Sequence, residues 1–241
     1  MADPLKIAVI GAGLIGLSCA DALMQAAPAN TVAVSVFEKN TGPVRGTSFC
    51  NSGMIHPSQS QSWGLDGQVC DALTHAANVS VYDLATRSRR ILLENFERLN
   101  LTKMLNRPKG CVQIYADISA AQSAQQAFGQ YGIDSSILMD DVNTLGHAGI
   151  LFPDDMSGNA RLYGEGLAAS LKSRGVHIMY GITDIRFRPQ DMGVVIELRD
   201  SATAAQTLAH FDHVILAAGP QSREVLKPLG LSIQMDLVKG H

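Results

Sequence analysis

The run Gly11-Ala12-Gly13-Leu14-Ile15-Gly16 and the carboxylate of Glu38 carry the most specific chemistry in this chain. A glycine at Gly11 permits a tight turn. One at Gly13 lets backbone approach a diphosphate, and one at Gly16 lets a helix pack closely on the preceding strand. The N–H groups from Ala12 to Ile15 then face an anion, helped by the helix dipole. Glu38 stands where a carboxylate accepts hydrogen bonds from ribose hydroxyls. The glycine pattern alone is a weak signal. Here strand, turn, helix, second strand and acid follow in order at the expected spacing, which points to a bound dinucleotide. A turn of purely structural use would leave Glu38 unexplained.

Two further segments offer polar or open backbone. Thr47 and Ser48 carry hydroxyls that donate to phosphate oxygens without adding charge, and Asn51, Ser52, Gly53 and Met54 follow them. The competing reading is a surface turn rich in Asn, Ser and Gly. Late in the chain, Val214 to Ala218 is an apolar run ending on small residues and then Gly219. Small side chains at a strand's C-terminal edge let a bulky ligand lie against backbone. A tight strand-to-helix turn explains the same residues equally well. His56 is the one catalytic candidate, because histidine is the residue type suited to moving protons near neutral pH. Beside Pro57 it also reads as an ordinary loop residue.

The elements that must position these residues are legible in part. Lys6 to Ile10 reads as a buried parallel strand, Leu14 to Ala27 as a helix stopping before Pro28, and Val32 to Phe37 as a second parallel strand. A long polar loop runs from Asn40 to Trp63, and long ordered loops are usually functional. A helix is expected from about Asn78 to Leu99, with Val81, Leu84, Ile91, Leu92, Phe96 and Leu99 on one face and its arginines on a solvated one. Further expectations are strands at Gly110 to Tyr115, Ile137 to Met139 and Val176 to Tyr180, and helices at Ser119 to Gln130 and Leu162 to Arg174, the latter capped at Gly175. Ile185 to Arg188 and Val194 to Leu198 read as a hairpin, and His213 to Ala218 as a buried strand.

Bulk composition narrows the class. With 46% apolar and 17% charged residues over 241 positions, the chain is globular and can bury a sizeable core. Its 19 basic and 22 acidic residues give a net charge of -3, so no nucleic-acid footprint is present. Cys19, Cys50, Cys70 and Cys111 form no C-x-x-C pair and read as free thiols in a reducing compartment, with no metal site. The apolar run Leu5 to Ile10 is too short for a signal peptide, and no window has the length of a membrane span. The expected location is the cytoplasm, or the inner face of a membrane as a peripheral partner.

Together these pieces resemble the FAD-dependent amino-acid oxidoreductases of the D-amino-acid oxidase superfamily, in particular D-amino-acid dehydrogenases of the small-subunit type and the glycine/sarcosine-oxidase-like enzymes. The resemblance rests on the fingerprint with Ala20 and Glu38 and on Thr47-Ser48-x-x-Asn51-Ser52-Gly53. It extends through Arg107 to Gln113, Ser157-Gly158-Asn159, Val214 to Ser222 and Val238 to His241. It implies an α/β fold: a Rossmann-like FAD-binding domain with a parallel sheet, plus part of an inserted α+β substrate domain. The FAD domain would be discontinuous, over 1–60 and 146–241, with 61–145 in the substrate domain. The implied cofactor is FAD. Gly11, Gly13 and Gly16 would hold its pyrophosphate, Glu38 its ribose, and Thr47 and Ser48 its phosphates. Lys39 and the backbone at Thr183 to Ile185 would lie at the adenine. Ser52, Gly53 and Met54 would pass the flavin ring, and Ala218 and Gly219 would close over it.

The implied reaction is amine oxidation of a D-amino acid or related secondary amine by hydride transfer to flavin. The chain departs from the family at Asn159, where Asp is frequent. It also ends after Val-Lys-Gly, where family members continue. That ending reads as a fragment, a truncated frame or half of a split enzyme, completed by a second polypeptide. No arginine falls in a motif for the substrate carboxylate, and Arg45 and Arg107 qualify by loop location only. Two other functions stay open: a non-catalytic flavin-binding remnant, and an NAD-dependent dehydrogenase, which the first motif alone allows.

Overall fold

The computed structural model describes residues 3–49, 51–59, 72–102, 105–106, 110–138 and 148–231, with backbone alone over 72–80 and 105–106. Cys50, Trp63, Cys70, Arg107 to Lys109, Met139 and Val238 to His241 lie outside the described residues. The elements begin with β1 (Leu5–Ile10), α1 (Leu14–Ala26), β2 (Val32–Phe37), β3 (Met54–Ile55), α2 (Ala72–Arg98) and β4 (Leu105–Asn106). Next come β5 (Cys111–Tyr115), α3 (Ile118–Gln130), β6 (Ser136–Leu138), β7 (Ala148–Phe152), β8 (Met156–Gly158) and α4 (Ala160–Ser173). The last are β9 (His177–Met179), β10 (Ile182–Pro189), β11 (Val194–Asp200), β12 (Gln206–Phe211), β13 (His213–Leu216) and α5 (Ser222–Leu226). They fall into two compact units, Met1–Asn51 with Ala160–His241, and Ser52–Asn159.

The first unit is built on a parallel sheet in the order β13-β1-β2-β9. Its two central strands are covered on both faces, which is why they read as unbroken apolar runs. Helices α1 and α4 pack together on one face, against β1, β2 and β9. On the other, Ala8, Ile10 and Phe37 meet Ile182, Ile196, Leu198 and Phe211 of the antiparallel sheet β10-β11-β12. Phe37 and Phe211 stack edge to face, with centroids 5.7 Å apart. Helix α1 is tied to the end of α4 by Arg174, which pairs with the buried Asp21, itself also bonded to Gln25.

The second unit holds an antiparallel sheet β5-β7-β6 and a small sheet β3-β8-β4. Helix α3 covers one face of the larger sheet, placing Ala121 and Phe128 on Ala148, Ile150 and Phe152. Asp117 caps α3, accepting from the N–H of Ala120 at 2.8 Å.

Several elements differ from the sequence expectations. Helix α2 starts at Ala72 rather than near Asn78. Its inward face is rotated: Phe96 is buried, whereas Leu84 is 65% and Ile91 50% exposed. Strand β12 is unforeseen, because an edge strand carries polar residues outward and hides its alternation. Strands β7 and β8 are unforeseen too, being short and interrupted by Gly149 and Gly158. They pair with β5, β6, β3 and β4, all within the unit Ser52–Asn159.

Candidate functional site

The glycine turn leaves β1 at its C-terminal edge. Gly11 has φ +107, a region closed to most side chains, and its N–H donates to the Phe37 carbonyl at 2.8 Å. A Cβ there would strike the Ala217 carbonyl oxygen, and one on Gly16 would overlap the Gly11 carbonyl oxygen. These two glycines are therefore demanded by packing. Gly13 is different. It caps α1 in extended backbone, and a Cβ added to it meets only Ser48 Oγ, at 3.4 Å.

Helix α1 begins with no side-chain cap on Gly13 and no acidic residue in its first turn. Its leading N–H groups are thus left to an outside acceptor. The Leu14 N–H donates to Ser48 Oγ at 3.2 Å, so an uncharged hydroxyl sits against the helix start. Ile15 is 70% exposed beside it.

Glu38 follows β2 directly and is buried. Its Oε2 accepts from the Ala12 N–H at 2.7 Å, inside the glycine turn. Its Oε1 accepts from the backbone N–H and side-chain amide of Asn40, at 2.9 and 2.6 Å. A carboxylate has about four acceptor positions, so capacity remains for a hydroxyl. Main-chain bonds hold the residue from both sides, its N–H donating to Met179 and its carbonyl accepting from Ile182. Tyr180 lies nearby, its phenol pushed up by burial and by the Glu38 charge.

The first unit thus brings together the glycine turn, Glu38, Ser48 and the end of β13. Two more residues complete this cluster: Ala217, one of the small residues expected at the end of the late strand, and Val44, which the sequence reading missed. The Ala217 carbonyl closes on Gly11, while the Ala217 N–H donates to Ile10 at 2.8 Å. Val44, fully buried at φ +57, donates its N–H to the Ala12 carbonyl at 2.9 Å. A β-branched residue at positive φ is rare, and the only hint in sequence is its place after Gly42-Pro43. Ala218 packs against the core of Ala8, Ile10 and Phe37, as does Ile185, and Gly219 (φ +56) starts a short 3-10 turn. Lys39, Thr47 and Asn51 are exposed.

Ser52, Gly53, Met54 and His56 belong to the second unit. Gly53 has φ +65, and its carbonyl accepts from Gly158 at 2.8 Å. Met54 is 42% exposed and pairs with Ser157, and His56 is half-buried after β3. Among the described residues, no three His, Cys, Asp or Glu side chains are placed to hold a metal ion. Among them too, no helix is long and apolar enough to cross a membrane.

An uncapped helix start, an open Gly13, a neutral hydroxyl partner and a buried carboxylate with spare acceptor capacity fit an adenine dinucleotide. Comparison with known proteins identifies which one. The chain is 25% identical over 98% of its length to a D-amino acid dehydrogenase of Vibrio atlanticus, and 24% identical over 98% to one of Methylobacterium radiotolerans. It spans 66% of each relative's length. Its fold matches glycine oxidase of Geobacillus kaustophilus with a TM-score of 0.71, at 20% identity, over 96% of this chain and 60% of that one. The L-amino acid deaminase of Proteus vulgaris matches with a TM-score of 0.72, at 14% identity, over 97% and 51%. A family model described as FAD dependent oxidoreductase matches residues 6–241. The cofactor of such a family is FAD, which displaces the NAD reading. This chain belongs to the FAD dependent oxidoreductase family.

Proposed function

We propose that this chain carries the FAD-binding domain and part of the substrate domain of an enzyme oxidising the amine of a D-amino acid or related secondary amine. One observation carries the reading: a buried Glu38 carboxylate bonded into the glycine turn, in a chain matched to the family from residue 6 to 241. The names of the two dehydrogenase relatives support the D-amino acid as substrate class.

Under this reading the first unit holds FAD and the second contributes to the substrate side. Backbone N–H groups at Gly13, Ile15 and Gly16, with Thr47 and Ser48, bind the diphosphate, while those of Gly11, Ala12 and Leu14 hold the turn against Phe37, Glu38 and Ser48. Glu38 orients the adenosine ribose. Lys39 and the backbone at Ile185 lie at the adenine. Ser52, Gly53 and Met54 pass the flavin ring, Asn51 binds the cofactor, and Ala218 with Gly219 closes the cradle. The chemistry supplied by bound FAD is acceptance of a hydride from the substrate α-carbon. His56 accepts a proton from the substrate ammonium, leaving the amine its electron pair. Free thiols at Cys19 and Cys111 support a cytoplasmic setting.

The purified chain is expected to be yellow and to bleach anaerobically with a D-amino acid. A colourless protein that reduces no dye overturns the assignment of this activity to this chain.

A further inference from the structure

We propose that Asp155 is a positioning residue that clamps Ser58 and so fixes the turn carrying His56. This rests on the amine-oxidase reading above for its purpose, though not for its geometry.

The β3–β8 ladder pairs Met54 with Ser157 and Ile55 with Met156. One step further along both strands stand His56 and Asp155. There the chain of β3 bends into a 3-10 turn over Pro57–Gln59, closed by the Gln59 N–H donating to the His56 carbonyl at 3.0 Å. Asp155 grips this turn twice. Its Oδ1 accepts from the Ser58 N–H at 3.4 Å, and its Oδ2 accepts from the Ser58 hydroxyl. Asp155 and Ser58 are 3% and 2% exposed. Gln59 continues the network, its amide donating to Ser58 Oγ and, at 2.9 Å, to Gln113 of β5.

A buried carboxylate is a costly way to hold a loop that apolar packing would hold as well. Burial does push the Asp155 carboxyl up, while Ser58, His56 and Arg89 oppose that rise. The Cys111 thiol, raised by its own burial and by Asp155, is the remaining titratable group beside it. Arg89 is itself held by Asp154 at 3.0 Å. A charge kept at this cost beside His56 sets both the place and the field of that imidazole. In the reaction, an ammonium N–H bond breaks, its proton moves to an imidazole nitrogen, and the amine keeps the electron pair.

Two measurements on the full chain test this. The first follows the Asp155 carboxyl by carbon-detected NMR titration. Ser58→Ala and His56→Asn are each expected to move its midpoint upward, because each removes a group favouring the carboxylate. A midpoint unchanged by His56→Asn overturns the proposal, since a carboxylate that only braced the fold would not sense that ring. The second compares FAD content and turnover in Asp155→Asn. Expected is a kcat loss of up to about 100-fold at unchanged FAD content, the scale of a misplaced reacting group. Full kcat in this variant also overturns it. Should wild type hold FAD yet oxidise no D-amino acid, the functional reading fails and the titration still decides the clamp.

Discussion

At the scale of single residues, the cradle separates glycines that packing demands from Gly13, which packing leaves open and the proposed function assigns to the diphosphate. Gly16→Ala drives a methyl into the Gly11 carbonyl, and such overpacking costs about 1–3 kcal/mol. Gly13→Ala meets only Ser48 Oγ and sits in extended backbone, so the melting temperature is expected to hold within a few degrees. Its methyl fills the approach to the helix start, and retained FAD, read as the 450/280 nm ratio after desalting, is expected to fall. Equal loss of stability in both variants would refute this distinction. Glu38→Arg would replace the charge-assisted ribose bonds proposed for Glu38 by an unmatched cation. Such bonds contribute about 1.5–3 kcal/mol, so FAD affinity should weaken roughly ten- to hundredfold. Unchanged flavin content would remove Glu38 from the site. Asp155 gives a pH signature. Its folded value is raised above 3.8, so the folded chain holds this proton more tightly than the unfolded one. Stability from this group therefore falls as pH rises from about 3.8 through the raised value, and is level below and above. Asp155→Asn lacks that slope. The melting temperature of wild type minus variant is expected to drop across that window, and a flat difference would contradict it.

At the scale of elements, Val44 and Gly164 show why part of the cradle was invisible in sequence. Gly164 lies inside α4, where alanine would be favoured by up to about 1 kcal/mol on propensity. A Cβ there would overlap Val44 Cγ2 and press on Leu14 Cδ2 at 3.2 Å. Gly164→Ala is therefore expected to destabilise, and Val44→Ala to relieve it. A double-mutant cycle in urea should show coupling of about 0.5–3 kcal/mol, and additive effects would count against the contact. The strand–turn–helix–strand unit was readable because each glycine, the apolar runs and Glu38 follow local rules at short range. Val44 was not, because its strained backbone is imposed by Ala12 and α4, distant in sequence. Strand β12 was hidden for a related reason: it needs β11 as a partner, and its outward Leu208 is 62% exposed. In α2 the charged residues are expected largely on a solvated face, and within it Arg89 is half-buried against Asp154. Periodicity fixes which residues share a face, and only tertiary contacts decide which face turns inward.

At the scale of the whole molecule, ligand binding is readable by calorimetry as a rise in melting temperature. The glycine turn, Glu38, Ser48 and Ala217 all belong to the unit Met1–Asn51 with Ala160–His241. A ligand that binds only the folded state adds about 2.7 kcal/mol of stability at a hundredfold excess over its Kd. For a chain of this length each kcal/mol is worth roughly 2–4 °C, so saturating FAD should raise the melting transition of the chain by about 5–10 °C. With a net charge of -3, the molecule has no strong field to draw in any anionic dinucleotide, so non-specific attraction adds little. FAD and NAD share the adenosine diphosphate half and differ in what lies beyond it. If the fit ended at Gly11 to Gly16 and Glu38, both would raise the transition equally at matched concentration. A larger rise with FAD requires contacts past the diphosphate, the part assigned to Ser52, Gly53, Met54, Ala218 and Gly219. Equal shifts would confine the site to an adenine cradle and remove those five residues from it.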